Sequence, residues 1–343
     1  MHKSAGSTDH QEGYEHVAAT NDSVVHQTPV RYVCLPGSRF TGSTLLGSLL
    51  NEHPECVSIG AATGLIRQTD LTTYRCSCGE LFRECEFWNY VAARTLALGH
   101  PVDVFTVNFW NTHLRLAPDA APGRRDARYL LNGALLRPLR WEPLNRMRDV
   151  LVGAFPGTRR AKSQMAWNTW SLATAVLERT GKQVFVDTSR DHQRPRNLAP
   201  FPMLDVKVVH LVRDPRGNSA SMIKHTGADA ASAARMWAHS NREAARARRY
   251  FLPERWLSLR YEELCADPAG VLDRIARFLN VGPMPRDGFR DSSSHIIGNK
   301  MRMKGLAEIR EDLSWHTTLS DGQLSTIARI AGRVSHQMGY QWP

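Results

Sequence analysis

The sequence predicts an α/β fold, with a central parallel sheet flanked by helices and a helical cap inserted in the middle of the chain. Three features carry this. Strand-like apolar runs alternate with helix-patterned segments through the second half, as in βαβ units. Val206 to Val212 is predominantly apolar, as befits a strand covered on both faces of a parallel sheet. A glycine-bearing loop, Gly37 to Thr44, runs from the first strand straight into the first helix.

Taken in order, residues 1–28 are polar and rich in Ser, Thr, His and Gly. They read as a tail with too few apolar side chains to pack. Val30 to Leu35 reads as a buried strand, ended by Pro36-Gly37. From Ser43, Leu45, Leu46, Leu49 and Leu50 fall on one helical face. Residues 101–160 hold much Pro, Arg and Trp without a period, and the cap is placed over residues 88–180. Ser163 to Thr180 reads as a helix closed by Gly181. Gln183 to Val186 reads as a strand ending at Asp187, followed by the strand Val206–Val212 and a helix opened by Pro215. Ala228 to Tyr250 is a long helix and Trp256 to Arg260 another strand. Asp267 caps a helix that Pro268 opens and that runs to Leu279. Ser320 with Gln323 makes a capping box for the last helix. Residues 29–343 are assigned to one domain.

The composition narrows the function. The chain has 343 residues, 42% hydrophobic and 22% charged, which excludes wholesale disorder. No apolar run is long enough for a membrane span, and no secretory leader is seen, so a cytoplasmic protein is expected. The net charge is +11, and 37 of the 44 Lys and Arg side chains are Arg. Such an excess suits anionic partners, and Arg suits bidentate binding of phosphate or sulfate. The Arg residues are scattered rather than run together, which argues against nucleic acid. Six cysteines without a leader do not suggest a disulfide framework.

The loop Gly37-Ser38-Arg39-Phe40-Thr41-Gly42-Ser43-Thr44, with Leu45 after it, has the spacing of a P-loop. Strand, loop and helix N-terminus together form an anion cradle. Ser43 stands where a kinase or ATPase carries its Lys, which argues against ATP chemistry. Downstream, Arg213 ends a strand and Ser221 follows one to two helical turns on, so the two can bracket a second phosphate. An Arg213–Asp214 pair with an ordinary helical Ser is the plainer alternative.

These segments resemble the sulfotransferases that use 3′-phosphoadenosine 5′-phosphosulfate (PAPS), of the bacterial P-loop type. Leu35 to Leu46 looks like that family's loop for the 5′-phosphosulfate. Val208 to Arg216, with Ser221, looks like its 3′-phosphate site. Ser294 to Arg302, with Asn299 and Arg302, looks like the loop that closes over the nucleotide. Tyr261 to Pro268 and Gly339-Tyr340 also look familial. The resemblance implies transfer of a sulfuryl group from PAPS, as co-substrate, to a hydroxyl of a small molecule such as a glycoside, lipid or secondary metabolite. Adenosine 3′,5′-bisphosphate (PAP) is released. No nucleic-acid partner is expected, and no metal is required for the transfer because cations already hold the departing phosphate; a homodimer is an option. The family usually carries Lys or Arg just before the Ser/Thr-Gly pair, where this chain has Phe40 with Arg39 one residue earlier.

The transfer needs fixed donors for charge on the bridging oxygen and a base for the acceptor's proton. The loop amides, Arg39 and nearby hydroxyls are candidates for the first. Asp187-Thr-Ser-Arg190, at a strand end, looks like a functional segment of similar enzymes. Asp187 reads either as the base or as a cap of the following turn. Arg190 reads either as a sulfate ligand or as its ion-pair partner. His192 is the second candidate base. The acceptor would sit under the cap, where Phe105, Phe109, Trp110, Trp141, Trp167 and Trp170 either line a pocket or pack as core.

Cys76, Cys78 and Cys85 also have two readings: zinc ligands, with Cys56 or a His as the fourth, or a reduced knot packed on Phe87 and Trp88. The Cys-x-Cys spacing is less usual for zinc, so no metal is assigned. Rival functions are a P-loop kinase or ATPase, and a non-catalytic module binding PAP or nucleic acid.

Overall fold

Five parallel strands form one sheet in the order β2-β3-β1-β4-β5, with β1 (Val30–Pro36), β2 (Cys56–Val57), β3 (Val184–Arg190), β4 (Leu204–Val212) and β5 (Trp256–Arg260). The computed structural model describes residues 28–63, 71–100, 102–106, 109–110, 142–154, 156–284, 295–297 and 309–342. The polar tail apart from Thr28, Trp141, Asn299 and Arg302 lie outside these.

The helices are α1 (Ser43–Asn51), α2 (Glu86–Ala97), α3 (Glu142–Ala154), α4 (Pro156–Thr180), α5 (Arg194–Leu198), α6 (Pro215–Thr226), α7 (Ala230–Arg248), α8 (Tyr261–Ala266), α9 (Pro268–Leu279), α10 (Trp315–Thr318) and α11 (Asp321–Gln337). No described helix is long and apolar enough to cross a membrane.

Side chains alternate across a strand, and both faces of β1 are buried. Tyr32 and Cys34 join Phe185, Val206 and Val208 in one cluster with side chains of α2 and α4. Val33 and Leu35 join Val186 and Leu211 in another, with Leu46, Leu49 and Leu50 of α1 and Leu272 and Ile275 of α9. This double burial is why the strands read as apolar runs. A third cluster joins α6, α7 and α11 through Ala220, Trp237 and Ile327.

Local signals held at several ends. Asp267 accepts from the Gly270 N–H at 2.9 Å, and Ser320 with Gln323 forms the capping box. The long helix starts at Ala230 rather than Ala228. Gly227, at φ 68°, closes α6, and Asp229 then caps α7 through the Ser232 N–H. Strand β3 runs to Arg190 instead of stopping near Asp187, because it pairs with β1 as far as Pro36–Arg190, past a register shift. Helix α4 begins at Pro156, seven residues before the expected start, in a stretch with no apolar period.

Part of the region assigned to a cap forms a layer against the sheet. Helix α4 packs on α2 and on β1, β2 and β3. Phe109, Trp110, Trp167 and Trp170 are buried in the same core cluster, with Phe105 packed against it. These five aromatics are therefore core side chains rather than a pocket lining.

Candidate active site

The strand order sets β1 between β3, which follows 150 residues later, and β4. Such a switch point leaves a crevice at the carboxyl ends of the strands. Three segments converge there: the loop leaving β1, Thr188–Arg190 of β3, and Arg213 after β4.

The loop is held in shape by close approach. A Cβ on Gly37 would stand 3.2 Å from the Leu211 carbonyl oxygen. One on Gly42, which has φ 89°, would stand 2.7 Å from the Tyr261 ring. Phe40 also takes a left-handed backbone, φ 64°, and its ring stacks on His225 at 5.6 Å. Thr41 Oγ1 donates to the Ser38 carbonyl at 3.0 Å. Arg39 is exposed.

Helix α1 opens toward this loop without a cap. Gly42 brings no side-chain oxygen, and there is no acidic residue in the first turn. The first bond of its ladder is Leu46 N–H to the Gly42 carbonyl, 2.9 Å. The donors just before it have no intrahelical acceptor, and the helix dipole adds positive potential. An anion is the natural partner for such an end.

Arg213 is 6% exposed and stands beside the loop. Its Nη1 donates to the Phe40 carbonyl and to Ser221 Oγ, each at 3.1 Å. Its guanidinium lies over the Tyr261 ring at 4.6 Å, and Nη2 is 3.4 Å from Asp312 Oδ2. The structure thus brings together Arg213, Ser221 and the loop, as the sequence spacing suggested. The motifs at Tyr261 and Tyr340 brace this corner. Glu262 accepts from the Asp214 N–H at 2.8 Å and from the Tyr340 hydroxyl at 2.7 Å.

Asn218 is a site residue that sequence reasoning missed. Its Nδ2 donates to the Arg39 carbonyl at 2.7 Å, and its Oδ1 is 3.5 Å from Ser38 Oγ. Its position three residues before Ser221, on the same helical face, was the available signal.

A cleft adjoins the first turn of α1. Thr44 and Ser48 line one side, Thr188 and Arg190 the other, and Ile296 and Ile297 also border it. Arg190 has φ 61°, a conformation uncommon for a residue with a Cβ. Arg190 thus faces the same opening as the first turn of α1.

The other two candidates lie elsewhere. Asp187 is 1% exposed and is not among the residues bordering the cleft. Its Oδ2 accepts from the Tyr32 hydroxyl at 2.6 Å and from Arg194 Nε at 2.7 Å. Its Oδ1 accepts from the N–H groups of Ala62 and Ser189, at 3.2 and 2.9 Å, and from the Ser189 hydroxyl. A carboxylate offers about four lone-pair sites, so these donors occupy it. Burial keeps the Tyr32 phenol protonated, its pKa held well above the usual value. The ion-pair partner is Arg194, not Arg190. Burial likewise pushes His192 down to about 4, and its Nδ1 has no hydrogen-bond partner among the described residues.

Residues 155–284 match the profile of the sulfotransferase family. No curated protein matches the chain. Among solved structures, the chain is similar to the sulfotransferase domain of the Synechococcus PCC 7002 olefin synthase, at 18% identity and TM-score 0.45, covering 99% of this chain and 100% of that one. It is also similar to sulfotransferase STF9 from Mycobacterium avium, at 14% identity and TM-score 0.44, covering 95% and 81%. A retinol dehydratase solved with retinol and PAP is 16% identical, with TM-score 0.41, covering 95% and 88%.

Proposed function

We propose that this chain is a sulfotransferase that transfers the sulfuryl group of PAPS to a hydroxyl of a small-molecule acceptor and releases PAP; the match of residues 155–284 to the sulfotransferase family profile supports the reading. The observation that carries this reading is the contact of Arg213 with the Phe40 carbonyl, which joins residues 173 positions apart. It sets two anion sites side by side at one end of the sheet. A nucleotide that carries phosphates on the 3′ and 5′ positions of one ribose would engage both.

On this reading, the 5′-phosphosulfate lies on the loop amides and the uncapped start of α1. The 3′-phosphate lies on Arg213 and Ser221. Arg213 contacts Asp312 only at 3.4 Å, so a phosphate is the stronger partner. The acceptor hydroxyl enters by the cleft. Its oxygen attacks sulfur, the bond from sulfur to the bridging oxygen breaks, the phosphate of PAP leaves with the electron pair, and the acceptor's proton passes to solvent at the cleft. Charge gathers on that bridging oxygen, where the α1 amides and Arg190 supply fixed positive ends. Arg190 takes the place of the cation that Phe40 does not provide. Asp187 is a positioning residue: through Ala62, Ser189 and Arg194 it holds the backbone that carries Arg190. The mixed cleft border of hydroxyls and isoleucines suits an alcohol on an organic scaffold, such as a glycoside or lipid.

Calorimetric titration of PAP and AMP tests the donor assignment. PAP binds well above AMP in the unmodified protein. Arg213→Ala weakens PAP about tenfold or more, the worth of a charge-assisted contact of roughly 1.5–3 kcal/mol, and leaves AMP nearly unchanged. Equal affinities for the two nucleotides in the unmodified protein would sink the reading. ATP turnover that requires magnesium would point to a kinase instead.

A further inference from the structure

Away from the transfer chemistry, four metal-ligating side chains converge. The donor atoms of Cys76, Cys78, Cys85 and His295 all lie within 4.8 Å of one another. Cys78 and Cys85 Sγ are 3.7 Å apart, and His295 Nδ1 is 3.5 Å from Cys76 Sγ and 3.3 Å from Cys85 Sγ. Zinc–sulfur bonds of about 2.3 Å and zinc–nitrogen bonds of about 2.0–2.1 Å at tetrahedral angles set sulfurs about 3.8 Å apart and nitrogen about 3.6 Å from sulfur. These three separations match edges of that tetrahedron, and every other pair of the four donor atoms lies within 4.8 Å. They are far longer than the roughly 2.0 Å of a disulfide, and three thiols cannot all pair.

The surrounding chain is built to hold these atoms. The Gly79 N–H donates to the Cys76 carbonyl, and the Cys76 N–H to the Glu80 carbonyl, both at 3.0 Å. This makes a tight turn around the Cys-x-Cys pair, with Gly79 at φ 97°. Cys85 sits at the N-cap of α2. The Phe87 ring stacks on the His295 imidazole at 4.4 Å and 3°, fixing its plane while Nδ1 meets the sulfurs. The Ile296 N–H donates to Ser77 Oγ at 2.7 Å.

We propose that these four side chains form a closed, tetrahedral zinc site that fastens the Ile296–Ile297 segment at the border of the cleft. Binding forms three bonds from zinc to thiolate sulfur and one to imidazole nitrogen, and three thiol protons pass to solvent. All four positions are filled by protein, so the ion is structural and takes no part in the transfer. It ties His295 to Cys85, 210 residues away in sequence. Next to His295, the Ile297 N–H donates to the Ile59 carbonyl at 2.7 Å, beside Gly60. A segment that borders the cleft is therefore stapled at one end by metal. The sequence left Cys76, Cys78 and Cys85 between a zinc site and a reduced knot with no metal assigned, and the fold adds His295 beside them.

The test uses the full chain, purified under reducing conditions, with zinc measured by plasma mass spectrometry. One zinc per chain is expected. Exchange for cobalt should give the intense visible bands of a tetrahedral site and a thiolate charge-transfer band in the near ultraviolet. Cys78 is exposed, so Cys78→Ser keeps the fold. It should weaken zinc by more than the roughly 10–100-fold lost with outer-shell partners. His295→Cys should retain zinc, whereas His295→Ala should lose it and speed hydrogen exchange at the Ile297 amide. A chain that stays zinc-free after incubation with zinc overturns the proposal. So does a Cys78–Cys85 disulfide found by mass spectrometry, or a weakly absorbing, octahedral cobalt form.

Discussion

Asp187→Asn should lower the stability of the folded chain by about 3–5 kcal/mol, the usual loss when one member of a buried ion pair is removed. Arg194 is 2% exposed, and its partners include Asp187, Tyr32 and Thr169. The substitution removes the carboxylate that its Nε meets at 2.7 Å. It also sets an amide N–H₂ among the donors of Tyr32, Ala62 and Ser189, which all need an acceptor. Equilibrium denaturation in guanidinium chloride reads the loss as a lower midpoint at unchanged slope. The double variant Asp187→Asn/Arg194→Met should recover part of it, because the buried cation is gone while the amide oxygen still accepts from the neighbouring donors. The opposite outcome is equally concrete. Normal stability with PAP release slowed by roughly 10²–10⁴-fold would make Asp187 the general base.

Arg190→Ala should slow PAP release from PAPS by about 10²–10³-fold, the loss seen when one fixed donor to a developing oxyanion is deleted. PAP affinity should fall by much less, since the loop amides, Arg213 and Ser221 still hold its two phosphates without Arg190. This split between rate and binding separates a transition-state contact from a binding one. Arg190→Lys, which keeps the charge without the fork, should recover part of the rate. Arg39→Ala is the comparison. If it abolishes the rate while Arg190→Ala does not, the cation at the sulfuryl group is Arg39, brought in from its exposed position. Release can be followed with water or a simple alcohol as acceptor, so the assay needs no knowledge of the natural one.

The features legible in the sequence were those set by neighbours along the chain. Pro36-Gly37 ends β1, Asp267 caps α9 and Ser320 caps α11 because each rule operates within a few residues. The glycine-bearing turn between β1 and α1 was legible for the same reason, and the double burial of β1 and β4 was written in their apolar runs. What could not be read depended on which side chains met across the fold. Arg190 and Arg194 are both basic and follow Asp187 closely, and only the turn after β3 decides that Arg194 takes the carboxylate. Asn218 carries no motif of its own. The cap aromatics were ambiguous because a Trp in a helix reads alike whether it faces a pocket or a core. Phe40 departs by side chain from the sulfotransferase loop that this segment resembles, yet its carbonyl accepts from Arg213.

The central place of β1 also governs when this chain can fold. Arg31 pairs with Val184 on one side and with Asp205 on the other, so no neighbouring strand is made until about 150 residues after β1. At about 5–20 residues per second, the first strand leaves the ribosome roughly 8–30 s before its first long partner exists. Through that interval Val33, Leu35 and the leucines of α1 have only each other to cover them. Contacts of such long sequence separation also make the folding step itself slow. The order of strands that creates the crevice at the sheet's end therefore leaves apolar surface of the nascent chain uncovered for that interval, and truncations short of β4 should be found in aggregates.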